Sequence, residues 1–125
     1  MTHTILVVDD EASLVEVLAN ILEFHHYGVL RAYDGIEALQ VIKENQIDLL
    51  ITDYMMPRLD GIALQKRVSN EAPAIPIIMM SALPDALEKL QLHAVLKKPF
   101  SLDAFIEQVE SALKRNDGTH PHVEI

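Results

Sequence analysis

The chain contains no cysteine, which removes disulfide staples, thiolate nucleophiles and cysteine-based zinc sites together. It has no run near the roughly 18 consecutive apolar residues of a membrane span. Its opening, MTHTILVVDD, has neither a basic leader nor a long apolar segment. The expectation is an unexported, cytoplasmic protein that makes no membrane contact. Basic residues are scarce: ten Lys and Arg stand against nineteen Asp and Glu, a formal charge of −9. That balance opposes direct nucleic-acid binding, which needs clustered cations, and favours divalent cations and basic protein patches as partners. No G-x-G-x-x-G follows the first apolar run, so a dinucleotide-binding role fails.

What is present is enough for one domain. A chain of 125 residues that is 50% apolar buries roughly two-thirds of its unfolded surface without staples. Short aliphatic runs at Thr4 to Val8, Gly28 to Ala32, Asp48 to Thr52, Pro76 to Met80 and His93 to Lys97 read as buried parallel strands. Between them lie segments of helical period. Leu14, Val17, Leu18, Ile21 and Leu22 share one stripe, as do Leu102, Phe105, Ile106, Val109 and Leu113. Gly35 to Lys43, Gly61 to Val68 and a short piece at Pro84 to Leu90 complete five helices. Ser101 is placed to cap the last helix, and Gly28 lies where the first should stop. Alternating strands and helices predict an α/β fold, a parallel sheet doubly wound through right-handed crossovers. From Asn116 the pattern is lost, so residues 1–115 form the domain and 116–125 a flexible tail, whose His120 and His122 are weak metal candidates.

In such a sheet, ligands sit outside the carboxyl ends of the strands. Asp9 and Asp10 follow the first strand, Asp53 the third, Ser81 the fourth and Lys98 the fifth. Each has a plainer reading: a helix cap for the acids, a turn residue for Asp53, a loop hydroxyl and a solvated lysine. Four strand ends delivering polar groups to one edge argue against coincidence. Clustered carboxylates repel unless a cation joins them, and an all-oxygen set suits magnesium. Asp53 could then attack a phosphoryl group as nucleophile, with Lys98 and Ser81 contacting its oxygens.

These residues resemble the receiver domain of two-component response regulators, over Thr4 to Arg115. VVDDE, DYMMPRLDG, MMSA and KKPF stand in that family's order and spacing. The resemblance implies a flavodoxin-like sheet of strand order 2-1-3-4-5 and phosphorylation of Asp53 by a sensor histidine kinase or a phosphotransfer protein. It further implies direct magnesium binding by Asp10, a water-mediated role for Asp9, a ligand from the Met55 carbonyl, and a cis Lys98-Pro99 bond. Phosphorylation would change affinity for an effector protein, with homodimerisation and a downstream output domain left open. A receiver of this kind is not an enzyme beyond its own phosphorylation and dephosphorylation.

Two features depart from the family. Val95 stands where an aromatic switch partner of Ser81 is common, and the stretch between Ser81 and Lys98 is about one helical turn short. They motivate an alternative, a degenerate receiver acting as a phosphorylation-independent interaction module. A magnesium-dependent phosphohydrolase is disfavoured because Met55 stands where a second aspartate would serve as acid and base. Met55 and Leu83 are apolar and would position a hydrolytic water poorly, so slow self-dephosphorylation is expected. His25 and His26 are read as closing the first helix, and Met55, Met56, Met79 and Met80 as gap-fillers or edge contacts.

Overall fold

A computed structural model describes residues 2–56, 58–82 and 92–116. Five parallel strands, β1 (Thr4–Val8), β2 (Gly28–Ala32), β3 (Leu49–Asp53), β4 (Ile77–Ser81) and β5 (Ala94–Lys97), form one sheet in the order β2-β1-β3-β4-β5. Four helices are present among the described residues: α1 (Ala12–Phe24), α2 (Gly35–Glu44), α3 (Gly61–Glu71) and α4 (Leu102–Asn116). The short helix expected at Pro84 to Leu90 lies outside the described residues, as do Leu83 and the tail from residue 117.

Side chains alternate across the strands, and each face carries its own core. Ile5, Val7, Leu49, Ile51, Ile78, Met80 and Leu96 pack with Val15, Leu18 and Leu22 of α1 and with Phe105, Val109, Ala112 and Leu113 of α4. On the opposite face Leu6, Val8, Leu50 and Ile77 meet Ala38 and Leu39 of α2 and Leu64 and Val68 of α3. Being buried on both faces explains why the central strands β1, β3 and β4 read as continuous aliphatic runs. Met79 and Met80 lie fully buried within β4, whereas Met55 is exposed. Buried Met56 accepts a long contact from the Thr52 hydroxyl.

Helix starts follow local chemistry. The Asp34 carboxylate accepts the Glu37 N–H at 2.8 Å, Asp60 accepts that of Ala63 at 2.9 Å, and the Ser101 hydroxyl accepts that of Ala104 at 3.0 Å. Helix α1 begins after Glu11, whose side chain makes no capping bond. Several expectations need correction. Strands β3 and β4 begin and end one residue later than the apolar runs suggest, and β5 begins one later. The first helix is closed by His25 and by His26 in the left-handed region at φ 71°. Gly28 already belongs to β2, where its N–H donates to the His3 carbonyl. Val17 and Leu102, assigned to buried stripes, are half exposed.

Candidate functional site

The ends of β1, β3, β4 and β5 converge on one edge because backbone bonding continues past the strands. The Tyr54 N–H donates to the Met80 carbonyl, and the Lys98 N–H to that of Ser81. Asp53, Ser81 and Lys98 are thereby held in fixed mutual register. Asp9, Asp53 and Ser81 are buried at 1%, 8% and 2% exposure, while Asp10 faces solvent. Carboxylate oxygens of Asp9, Asp10 and Asp53 all lie within 4.8 Å of one another.

The Lys98 ammonium reaches two of these acids, Asp53 Oδ1 at 2.8 Å and Asp9 Oδ2 at 3.3 Å. Asp9 uses its other oxygen, Oδ1, to accept the Glu11 N–H at 2.9 Å. Asp9 therefore shapes the turn into α1 without being the helix cap. Burial pushes the Asp9 carboxyl above its usual range and the Asp53 charge adds to that, against the opposing Glu11 N–H and the nearby Lys98. Burial opposes the charged form of Lys98, but its bond to Asp53 and the two carboxylates outweigh this and raise its pKa. One ammonium against three carboxylates leaves an excess of negative charge at the edge. An all-oxygen donor set with a solvent-facing member suits a hard divalent cation such as magnesium.

A cavity of about 200 Å³ opens at this edge, lined by Asp53, Tyr54, Met55, Ser81, Ala82 and Lys98. Val95 is half-buried in β5 opposite Met79, and Lys97 is exposed beyond it. The Lys98-Pro99 peptide bond is cis.

Sequence reasoning located the polar edge but not what secures it. Gly61, the first residue of α3, lies so close to the end of β3 that an added Cβ would collide with the Asp53 carbonyl oxygen and come within 3.0 Å of the Tyr54 Cα. The Gly61 N–H donates to the Tyr54 carbonyl at 3.0 Å. This contact accounts for the glycine eight residues behind Asp53: α3 must start directly against the strand end. The adjacent Asp60-Gly61 pair, a cap followed by the smallest residue, is the signal that carries it.

Comparison with known proteins agrees with this geometry. Residues 5–110 match the response regulator receiver domain family. Response regulator GtcR of Aneurinibacillus migulanus is 38% identical over 120 residues, covering 92% of this chain and 49% of that protein. This chain thus spans about half the length of the curated relatives it matches. Among solved structures, the receiver domain of Francisella response regulator 1452 superposes with a TM-score of 0.85 at 34% identity, covering 91% of this chain and 98% of that one. Response regulator TrrA of Thermotoga maritima, solved in complex with Mg(2+)-BeF, gives a TM-score of 0.83 at 29% identity, covering 90% and 100%. A flavodoxin-like sheet with acids, serine and lysine at the ends of its strands, matched by sequence and by structure, establishes that this chain belongs to the response regulator receiver domain family.

Proposed function

We propose that this receiver is a phosphoacceptor switch of a two-component or phosphorelay system, with Asp53 the phosphorylated residue. The observation that carries the reading is the meeting of the buried Asp53 carboxylate with Lys98 at 2.8 Å and with Asp9 and Asp10 inside one 4.8 Å cluster. Asp10, Asp53 and the Met55 carbonyl would hold magnesium directly, and Asp9 through water. When bound, the ion supplies positive charge to the oxygens of the incoming phosphoryl group. The relative solved with Mg(2+)-BeF supports this assignment.

The chemistry falls to the chain's own groups. An Asp53 oxygen attacks the phosphorus of a donor phosphohistidine. The P–N bond breaks, the imidazole leaves with the electron pair and takes up a proton, and an acyl phosphate remains on Asp53. Lys98 moves from the carboxylate to a phosphoryl oxygen, and the Ser81 hydroxyl donates to another. The product adds charge and acceptor oxygens where Ser81 and β5 meet, shifting the protein between two states that an effector distinguishes. Val95 cannot swing an aromatic ring, so Ser81 and Val95 would transmit the change by packing.

The donor is a sensor histidine kinase or phosphotransfer protein in the cytoplasm. It approaches beside an apolar groove lined by Leu14, Val17, Lys98, Pro99, Phe100 and Leu102. The exposure of Val17 and Leu102, unexpected for core residues, suits such contact.

The test is intact-protein mass after incubation with magnesium and acetyl phosphate, for wild type and Asp53→Ala. A phosphoryl adduct that requires magnesium and is absent from the variant supports the switch. No adduct, with magnesium binding confirmed, supports the phosphorylation-independent module or a strict requirement for the cognate kinase.

A further inference from the structure

The segment after Asp53 carries Met55, whose carbonyl the proposed function assigns to magnesium. Gly61 fixes the root of this segment against Asp53 and Tyr54. Its far end is held differently. Arg58 Nη2 lies 2.6 Å from Asp34 Oδ2, while Asp34 Oδ1 caps α2 through the Glu37 N–H. An added Cβ on Gly35 would collide with the Leu59 carbonyl oxygen. The backbone at Leu59 therefore rests directly on the first turn of α2.

Arg58 adopts a φ of 68°, a left-handed conformation that is unfavourable for a non-glycine residue. Such conformations persist where their surroundings over-determine them. Here the surroundings are the Leu59 contact and the ion pair. The Arg58 side chain is 60% exposed, and exposed pairs contribute little to overall stability. That is too little to support the whole fold, so with the Leu59 contact the pair bears on the shape of this segment more than on the stability of the domain.

We infer that Arg58 and Asp34 are positioning residues: their ion pair clamps the segment after Asp53 onto α2 and so holds the Met55 carbonyl in place for magnesium. The inference rests on the reading of the acid cluster as a magnesium site. Neither residue touches the ion or the phosphoryl group. They act on the ligand's position from outside the site, as groups that orient metal ligands do.

The experiment compares wild type, Arg58→Ala, Arg58→Lys and Asp34→Asn by calorimetric titration with magnesium, thermal unfolding, and exchange of the Gly61 amide in metal-free protein. Arg58→Ala retains a non-glycine backbone and removes the side chain beyond Cβ, Arg58→Lys restores length and charge, and Asn caps α2 as well as Asp does. Loss of the pair is expected to weaken magnesium binding about tenfold, the low end for groups that orient ligands, and to speed Gly61 exchange. Tm should move by no more than about 4 °C. Arg58→Lys, keeping the charge, should recover most of the affinity. Wild-type magnesium affinity and Gly61 exchange in Arg58→Ala would overturn the clamp alone, as would an Arg58→Lys variant as impaired as Arg58→Ala. A wild type that binds no magnesium would overturn the magnesium reading and the clamp with it.

Discussion

Replacing Gly61 with alanine tests whether the acceptor aspartate is held by close packing of α3 on the end of β3. The added methyl would collide with the Asp53 carbonyl oxygen and lie 3.0 Å from the Tyr54 Cα and 3.1 Å from the Tyr54 carbonyl oxygen. All three atoms are backbone, so no side chain can swing away. Overpacking of this kind costs about 1–3 kcal/mol, against at most about 1 kcal/mol regained by putting alanine in place of glycine in a helix. The net is a destabilisation of up to about 2 kcal/mol, which at about 4 °C per kcal/mol, between the values for smaller and larger domains, lowers Tm by as much as about 8 °C. Because the displaced atom belongs to Asp53, adduct formation with acetyl phosphate should slow as well. Gly28→Ala is the control: its Cβ would meet only ordinary neighbours, the His3 carbonyl at 3.5 Å and the Thr4 hydroxyl at 3.7 Å. It should be neutral or stabilising by about 0.5 kcal/mol, since alanine restricts the unfolded chain. Thermal unfolding and a phosphorylation time course on both variants decide the matter. Equal Tm and rate for Gly61→Ala and Gly28→Ala would refute the packing argument.

Lys98→Ala leaves Asp9 and Asp53 buried without their cation, and breaking such a pair costs about 3 kcal/mol, the low end because Lys98 is partly exposed. Urea unfolding should show this loss without magnesium and partial recovery with it, and an unchanged midpoint would count against the pairing. The Arg58 hydrogen bond and the Glu37 N–H hold the Asp34 carboxyl below its usual range. Its contribution to stability is therefore present above its ordinary value of 3.8 and lost as pH falls through the lower folded value. Arg58→Ala should flatten that acid limb, and a limb identical to wild type would show that the pair is not formed in solution. With exposed, apolar Met55 two residues past the acceptor, the acyl phosphate should persist for minutes or longer. Loss of the label within seconds in magnesium buffer would contradict this.

The sheet was legible because its central strands β1, β3 and β4 are buried on both faces, and their aliphatic runs leave little else to read. Where the reading slipped, the cause is local. Asp53 and Ser81 interrupt the apolar pattern, yet their backbones still pair in the ladder, Asp53 with Met80 and Ser81 with Lys97. A polar side chain thus ended the run one residue before the strand ended. On α1 the stripe drifted: Val15 and Ala19 are buried where Val17 is exposed, because a helix of 3.6 residues per turn presents a narrower contact than five apolar positions suggest. The convergence of Asp9, Asp53 and Lys98 followed from the rule about strand ends. The Arg58–Asp34 pair did not, since 24 residues separate its partners and only the packing of α2 beside α3 brings them together.

The acceptor edge draws Asp9, Asp53, Ser81 and Lys98 from four different strand ends, spread over most of the chain. No fragment that omits β1, β3, β4 or β5 keeps the whole set, so under the proposed function phosphate acceptance would double as a readout of the assembly of those four strands. On that reading a newly made chain would stay silent until β5 docks and delivers Lys98.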